Sequence, residues 1–307
     1  MGRRKKIIVV GLPLFSKKFA SEFSKFTDEY RLIALDTYYS KLDKLKFLFH
    51  ILTADLIFSI NGSLTKSLVF DLAFRRKIPV IMNWVGTDVV KSMQAFKNNT
   101  YVSKYKDEAI HFCEVDWIRD ELKEIGIEAE ISNFASFDKV FELKPTNNQR
   151  LTVLSYIPDN RAEFYGINDI LELSKSFPNI DFLIVGGHSE GYKPLPENYK
   201  AIGWVKDMGP IYDKIDICIR HTEHDGLSTF VLEGLARGKV VFYNNKFSHC
   251  HFTPNLDALK LQISQVLSSF DSGSNILNNE GAAFISTEFS KDVIFKKLKT
   301  KIENVIG

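Results

Sequence analysis

The stretch HDGLSTFVLEGLARGKVVFY, residues 224–243, decides the fold because it combines a turn, a helix and a strand in one short segment. Its first three residues are turn formers, and Ser228 or Thr229 can cap the helix that follows. Gly238 is predicted to end that helix. The β-branched and aromatic run 240–243 is typical of a short buried strand.

Residues 216–221, DICIRH, read as a second buried strand in front of this stretch. The segment is therefore predicted to form one strand-loop-helix-strand unit. Its loop lies where the carboxyl end of a strand meets a helix N-terminus, the position at which open α/β sheets bind ligands and free N–H groups attract phosphate. Asp225 and Glu233 could then face one ligand, or they could be a turn former and a solvated helix charge.

The rest of the chain repeats this alternation of apolar strands and amphipathic helices, which favours parallel sheets covered on both faces. A polar segment at 144–150 resembles a linker. We predict an α/β fold with an N-terminal Rossmann-like domain over residues 1–145 and a second one over 150–285, facing each other across a cleft. A helix at 286–307 is expected to pack back on the body. Other strands are predicted at 6–11, 30–36, 55–62, 78–86, 108–114, 128–135, 151–157, 180–187 and 199–205.

Composition excludes several classes of protein. The 307 residues are 45% hydrophobic, as in an ordinary globular protein, and no apolar run has the length of a membrane span. The apolar run near the N-terminus reads as a first strand rather than a signal peptide. Cys113, Cys218 and Cys250 are far apart and odd in number, which favours a reducing, cytoplasmic compartment over a disulfide framework. Two histidines flank Cys250, but no second ligand pair is in view, so no metal site is predicted.

Charge is distributed unevenly along the chain. Residues 1–106 hold 19 Lys and Arg against 8 Asp and Glu, a net charge of +11, whereas the whole chain has +2. These lysines are either an ordinary solvated surface or a face for an anionic membrane or an anionic lipid-linked acceptor. Residues 41–49, KLDKLKFLF, interleave lysines with Phe47 and Phe49, as an interfacial helix does. Nucleic acid is not an expected partner, since no nucleic-acid-binding motif is present.

The C-terminal half resembles the family 4 glycosyltransferases, which are retaining enzymes of the GT-B fold that use nucleotide sugars. The family signature is an acidic residue, seven intervening residues and a Glu, with Gly after the first acid. Here it reads DGLSTFVLEGLARGKVV, from Asp225 to Val241. The stretches 164–187 and 202–219 also resemble the family's donor domain. The likeness covers most of the chain in element order, but it is specific only between about 151 and 243.

The resemblance implies roles for the residues of this motif. Asp225 would hold the sugar hydroxyls, Glu233 the nucleotide ribose, and the backbone of Gly226, Leu227 and Ser228 the phosphates. Gly187, Trp204 and Val205 are expected to line the rest of the donor site. No metal and no cofactor beyond the donor substrate is implied.

Two positions depart from the family pattern. The first acid is usually Glu, and Asp225 is one methylene shorter. The family also supplies an Arg and a Lys to the diphosphate, with the Lys directly before a Gly, and here Tyr165 precedes that Gly. Arg161 and Arg220 are the candidate cations for the diphosphate. The alternatives are a solvated loop charge for Arg161 and a buried pair with an acid such as Asp216 or Asp225 for Arg220.

Two loops of the N-terminal half resemble acceptor-side loops of the family. One is GLPLF, with Gly11 and Leu12, and the other is NWVGTDV, with Gly86, Thr87 and Asp88. The family often carries a His in the second loop, which is absent here. His111 is the nearby candidate, although a histidine in such a strand is more often part of the core.

These observations predict a cytoplasmic glycosyltransferase, peripheral at the membrane if the basic segment binds lipid. It would transfer a hexose with retention from a nucleotide diphosphate sugar to a glycan or lipid-linked acceptor. A GT-B-like protein that binds a nucleotide sugar or glycan without catalysis is an alternative. A nucleotide-sugar epimerase on the same fold is another.

Overall fold

The computed structural model describes residues 3–137 and 140–307. These residues form two compact units. The first contains the chain up to Ser136, the short loop Asp225–Leu227 and the C-terminal segment Lys291–Gly307, and the second contains the remainder. The chain therefore passes into the second unit between Ser136 and Phe137, nine positions before the predicted end of the first domain, and the last helix belongs to the first unit.

The first unit is built on a six-stranded parallel sheet, as its buried apolar strands predict. Its spatial order is β2-β1-β3-β4-β5-β6. The three central strands β1, β3 and β4 are buried along almost their whole length. The strands are β1 (Lys5–Gly11), β2 (Tyr30–Ala34), β3 (Leu56–Ile60), β4 (Val80–Trp84), β5 (Ile110–Cys113) and β6 (Ala129–Ile131).

Six helices connect the strands of this sheet or precede them: α1 (Pro13–Phe26), α2 (Lys41–His50), α3 (Leu68–Arg75), α4 (Thr87–Lys97), α5 (Ser103–Glu108) and α6 (Asp116–Glu124). Helix α4 was not expected. The stretch NWVGTDV was predicted to be a loop, but its last three residues belong to this helix. Thr87 and Asp88 lie in its first turn. Its buried face includes Ser92 and Ala95, whose polar or small side chains do not single out a core-facing helix in the sequence.

The second unit has a six-stranded parallel sheet in the order β12-β11-β10-β7-β8-β9. The two-residue strand β12 was not expected, because a segment so short and exposed has no periodic pattern. The strands are β7 (Thr152–Tyr156), β8 (Asp181–Val185), β9 (Tyr199–Ala201), β10 (Ile217–Arg220), β11 (Val240–Tyr243) and β12 (His251–Phe252). The helices are α7 (Ile167–Ser176), α8 (Gly209–Tyr212), α9 (Thr229–Ala236), α10 (Leu256–Asp271) and α11 (Asn279–Glu288).

The single helix predicted over 286–307 is replaced by the end of one helix and the whole of a second. Helix α11 ends at Glu288, and α12 (Lys291–Ile306) begins three residues later. Helix α12 packs against α1 through Phe295, whose ring centroid lies 5.2 Å from that of Phe23 and 5.6 Å from that of Phe26. This aromatic cluster attaches the end of the chain to the first unit.

Strand order fixes where ligands bind on such sheets. In the first sheet the direction of winding reverses between β1 and β3, and in the second it reverses between β7 and β10. Connections on either side of such a point leave the carboxyl ends of the two strands uncovered, which creates a crevice for ligands. Functional side chains are therefore expected just after β1 and β3 in one unit, and after β7 and β10 in the other.

Candidate functional site

The second unit places two arginines at its point of reversal. Arg220 is the last residue of β10, and Arg161 lies in the turn that follows β7. Both approach one aromatic ring, that of Tyr165. The guanidinium carbon of Arg220 is 4.7 Å from the ring centroid, and that of Arg161 is 5.6 Å from it. The structure thus brings both candidate diphosphate ligands to Tyr165, the residue directly before Gly166.

The two arginines differ in environment. Arg220 is 7% exposed, so its charge lies in a medium of low dielectric constant. Arg161 is exposed and stacks on Phe164 at 3.9 Å. Along the extended chain the backbones of Asp216 and Arg220 are four residues, or about 13 Å, apart. The Asp216 carboxylate accepts hydrogen bonds from Thr146, Asn148 and the backbone of Thr152.

Gly166 lets helix α7 start directly against β10. Its φ is +75°, and a Cβ atom at this position would stand 2.2 Å from the carbonyl oxygen of His221. The imidazole of His221 is buried, with Nδ1 at 2.6 Å from Asp169 and Nε2 at 2.8 Å from the carbonyl oxygen of Thr253. His221 therefore fixes the end of β10 and the first turn of α7 together, and both of its nitrogens are used in doing so.

The glycine pair after β8 makes room for a carboxylate. A Cβ atom on Gly187 would lie 2.5 Å from Oδ1 of Asp159. The Asp159 carboxylate accepts backbone hydrogen bonds from His188 at 3.0 Å and from Ser189 at 2.9 Å, and these bonds lower its pKa. A side chain at Gly187 would collide with the Asp159 carboxylate, which explains the glycine without a ligand. Its donor-binding role stays a prediction.

Trp204 and Val205 follow β9. The side chain of Trp204 is 74% exposed, so its ring is available for stacking on a planar ligand. This exposure also means that the ring is not part of the core of the second unit. Its predicted place in a base-binding pocket remains a prediction.

Helix α9 carries the second acid of the motif. Ser228 is its N-cap residue and is 7% exposed. Glu233 is half-buried, and its carboxylate accepts a hydrogen bond of 3.1 Å from the hydroxyl of Tyr212 on α8. Glu233 is thus not a freely solvated helix charge. The carboxylate is held in place by a buried phenol and retains further lone pairs for a ligand hydroxyl.

The first acid of the motif and its glycine, Asp225 and Gly226, group with the first unit together with Leu227. The indole Nε1 of Trp117 donates a hydrogen bond of 2.8 Å to the backbone carbonyl of Asp225. Gly226 lies so close to Val85 that a Cβ atom would stand 2.2 Å from the Val85 carbonyl oxygen. The glycine after the first acid therefore permits a close approach of two backbones.

Gly11 and Leu12, which were predicted to lie on the acceptor side, are at the point of reversal of the first sheet. Gly11 has a φ of +104° and no space for a side chain, since a Cβ atom would be 2.2 Å from the Ile60 carbonyl oxygen. The backbone N–H of Leu12 donates to the same oxygen at 2.9 Å. The ends of β1 and β3 are thus joined directly, and helix α1 starts at this junction.

Asp88 organises the neighbouring turn. Its carboxylate accepts backbone hydrogen bonds from Gly62 at 2.6 Å, from Gly86 at 2.8 Å and, at longer distances, from Val85 and Val89. Burial raises the pKa of Asp88 to about 6, while these N–H groups act to lower it. Asp88 therefore holds together the turns after β3 and β4, and Gly86 has a φ of +132° at the start of α4.

His111 lies in β5 with both ring nitrogens engaged inside the first unit. Nδ1 accepts a hydrogen bond of 3.1 Å from the indole of Trp84, and Nε2 is 3.0 Å from the carbonyl oxygen of Lys106. Burial lowers the pKa of His111. This arrangement favours the core role that the sequence left open beside the acceptor-side one.

Sequence reasoning missed Glu114, which follows β5. Its carboxylate is 6% exposed, and Oε1 has no hydrogen-bond partner among the residues described. Burial raises the pKa of Glu114 to about 8, and the carboxylates of Asp88 and Asp225 raise it further, although a backbone hydrogen bond from Phe134 opposes them. A buried carboxyl group that is neutral near pH 7 can donate a proton or a hydrogen bond. Glu114 stands between a strand and a helix, where an acidic residue normally faces solvent.

The comparisons with known proteins identify the fold. No family model matches the chain, and no curated protein matches its sequence. HepE of Anabaena, solved in complex with UDP and glucose, superimposes with a TM-score of 0.72 at 12% identity, over 98% of this chain and 100% of that one. A glycosyltransferase of Rickettsia africae gives 0.70 at 13%, over 99% of each chain. Sucrose-phosphate synthase of Thermosynechococcus elongatus gives 0.69 at 11%, over 98% and 99%.

Likeness over whole chains at such low identity establishes the architecture. The protein has the α/β GT-B fold, with two Rossmann-like domains that each contain a six-stranded parallel sheet. Within residues 3–137 and 140–307, no helix is long and apolar enough to cross a membrane. The same residues contain no cluster of three or more His, Cys, Asp or Glu placed to hold a metal ion.

Proposed function

We propose that the protein is a retaining glycosyltransferase that moves a hexose from a nucleotide diphosphate sugar to a glycan or lipid-linked acceptor in the cytoplasm. The observation that carries this proposal is the pair Arg161 and Arg220 around Tyr165, at the ligand-binding edge of the second sheet. A leaving diphosphate needs positive charge in a site of low dielectric constant. Three structures of the same fold support the proposal. One is of a glycosyltransferase, one is of a sucrose-phosphate synthase, and the third, HepE, was solved with UDP and glucose bound.

In this proposal each residue acts on one part of the donor. Arg220, with Arg161, stabilises the charge that develops on the diphosphate as the bond to the sugar breaks. The N–H groups of Gly226, Leu227 and Ser228 bind the phosphates, and Glu233 accepts hydrogen bonds from the ribose. Asp225 orients the sugar. Trp204, with its exposed ring, stacks on the base, and no metal ion takes part.

A nucleotide-sugar-binding protein without catalysis is the second candidate, and two observations favour it. Tyr165 replaces the diphosphate lysine of the related enzymes, and the carboxylate of Glu233 already accepts a hydrogen bond from Tyr212. Product analysis separates the candidates. With a nucleotide sugar and acceptor, the transferase releases nucleoside diphosphate, the binding protein releases nothing, and an epimerase changes the sugar without any acceptor.

We expect Glu233→Ala to lose selective nucleotide binding, because the ribose hydroxyls lose their acceptor. Thermal shift with UDP, GDP, ADP, CDP and TDP, with and without EDTA, measures this, since a ligand that binds only the folded protein raises the melting temperature. One hydrogen bond to a charged group corresponds to an affinity loss of about tenfold to a hundredfold.

Tyr212→Phe is the matched control for this variant. It removes the same hydrogen bond from Glu233 but leaves the carboxylate in place, so the nucleotide-induced shift should survive. If the two variants lower the melting temperature alike and both keep the full shift, Glu233 has only a structural role. A shift that EDTA abolishes in the parent protein would contradict metal independence.

A further inference from the structure

Helix α2 and the single helical turn after it, Ile51–Thr53, present large apolar side chains to solvent. The exposed fractions are 61% for Leu42, 65% for Leu45, 43% for Leu48, 71% for Phe49 and 56% for Leu52. Isolated exposed apolar residues are common on soluble proteins, but a contiguous group marks an interaction site. We call these five residues the α2 face.

The five residues form one stripe rather than a scattered set. At about 100° of rotation per residue, they fall within an arc of roughly 120° around the helix axis. Phe47 and Ile51 lie on the opposite side and are each only 2% exposed. The structure therefore corrects the sequence reading of Phe47 as an interfacial residue, while Phe49 does face outward.

Lysines border this stripe on both sides. By the same rotation, Lys44 falls about 40° beyond one edge of the arc and Lys46 about 40° beyond the other, while Lys41 falls just inside the first edge. All three are exposed. Lys46 is 3.1 Å from Asp43, which is the only acidic residue of the helix. Two further cations lie close by: Arg76 donates to the carbonyl oxygen of Leu52 at 3.1 Å, and Lys17 acts electrostatically on Asp43. The α2 face is thus an apolar strip with a basic margin.

The helix is held rigidly with this face outward. Ser40 caps its N-terminus by accepting a hydrogen bond of 3.1 Å from the backbone of Asp43. At its other end, the ammonium group of Lys6 donates to the carbonyl oxygen of His50 at 3.2 Å and to the hydroxyl of Thr53 at 2.5 Å. The apolar strip cannot turn inward, because Phe47 and Ile51 already fill the space beneath the helix.

We propose that the α2 face docks on the anionic surface of a lipid bilayer. A helix that joins an apolar strip to flanking lysines lies in the plane of such a surface, with leucine and phenylalanine in the acyl region and lysine among the phosphates. The net charge of +11 over residues 1–106 adds attraction over a longer range. A second copy of this chain would bring the same basic margin against itself, so the charge pattern favours lipid.

The position of the helix connects docking with the ligand-binding edge of the first sheet. Tyr38, just before α2, accepts a hydrogen bond of 3.0 Å from Asn61. Asn61 directly follows β3 and precedes Gly62, which donates to Asp88. A docked protein would hold this edge near the membrane surface, where a lipid-linked acceptor lies; this last step rests on the proposed function, whereas the docking itself does not.

Co-sedimentation with vesicles tests the docking. The protein should bind vesicles of phosphatidylcholine mixed with phosphatidylglycerol, and should bind pure phosphatidylcholine weakly. Lys41→Gln with Lys44→Gln should weaken binding by about 30-fold, since each lysine near an anionic surface accounts for roughly a factor of five. Leu45→Gln with Phe49→Gln should weaken it by at least about tenfold.

Matched controls come from exposed residues of the second unit. Leu261→Gln removes an equally exposed leucine, and Lys200→Gln with Lys206→Gln removes two exposed lysines, so neither should change vesicle binding. Equal binding to both kinds of vesicle, or binding that the α2 variants leave intact, would overturn the proposal. So would a dimer in solution, measured by sedimentation velocity, that Leu45→Gln with Phe49→Gln dissociates, since the face would then bind a second copy.

Discussion

Replacing Glu114 by Gln should stabilise the first unit by about 3 kcal/mol at pH 7 and leave its stability at pH 4.5 nearly unchanged. The pKa of Glu114 is raised from 4.5 to about 8, chiefly by burial. The folded protein therefore keeps a proton on Glu114 that the unfolded chain releases. Between pH 4.5 and about pH 8 the unfolded chain binds fewer protons than the folded protein. The parent therefore loses stability as the pH rises through this range, by up to about 1.4 kcal/mol per pH unit.

Glutamine reproduces the neutral carboxyl group and cannot ionise. Its carbonyl can accept the backbone hydrogen bond from Phe134 that the carboxylate receives now. The pKa of Asp88 is also raised, so Asp88 likewise lowers the stability of the folded protein as the pH rises towards 6. Asp88 is present in both proteins, so the difference in stability between parent and variant reports on Glu114 alone. Glu124→Gln, on the exposed side of α6, should give no difference between pH 5 and pH 8.

Urea unfolding followed by tryptophan fluorescence measures this prediction. The chain has three tryptophans, of which Trp84 and Trp117 lie in the first unit and Trp204 in the second. A Trp204→Phe background makes the signal specific for the first unit, at little expense in stability because that side chain is 74% exposed. Parallel stability curves for parent and Glu114→Gln from pH 5 to 8 would show that Glu114 is ionised in the folded protein.

The second large effect is expected at Arg220. If its guanidinium stabilises the departing diphosphate, Arg220→Ala should lower kcat/KM for transfer by about a hundredfold to a thousandfold, the range for removing one preorganised partner of a developing charge. Arg161→Ala should have a smaller effect, of about tenfold, since Arg161 is exposed and water screens its charge. Release of nucleoside diphosphate in the presence of acceptor is the quantity to measure.

Two comparisons make this result specific. Arg75→Ala removes an exposed arginine of the first unit and should leave the rate unchanged. Arg220→Lys keeps the charge but not the planar group that stacks on Tyr165, so partial recovery of rate would assign the role to charge. A large loss with Arg161→Ala and none with Arg220→Ala would transfer the diphosphate role to Arg161. Melting temperatures near that of the parent exclude unfolding as the cause.

The sequence predicts the second unit better than the first. Around β10 and α9, each level of the pattern agrees: turn formers, a cap, apolar periodicity and a terminating glycine point to one answer. Helix α4 is missed because serine and alanine occupy buried positions on its inner face. The helix predicted at the end of the chain is interrupted at Phe289, where no glycine or proline marks the end of α11.

The candidate site shows the same limit. Residue types select Asp225, Glu233 and the two arginines as candidates, because carboxylates suit hydroxyl donors and guanidinium groups suit phosphates. The environment of each group depends on contacts distant in sequence, such as the hydrogen bond of Tyr212 to Glu233 across 21 positions. The pKa of Glu114 likewise depends on residues 88, 134 and 225 as well as on burial. No local pattern contains these contacts.

The pairing of Phe137 with Ser290 has a consequence for recombination. The backbone N–H of Phe137 donates to the carbonyl oxygen of Phe289 at 2.8 Å, and Phe137 bridges to Ser290 in parallel. The points at which the chain enters and leaves the second unit are therefore adjacent. One crossover on each side of the second unit could therefore exchange it for the corresponding segment of another GT-B protein, and the exchanged segment would carry with it the loop Asp225–Leu227, which belongs to the first unit. Such chimeras would keep the basic α2 face and the Asp88 turn while replacing the sheet of the second unit.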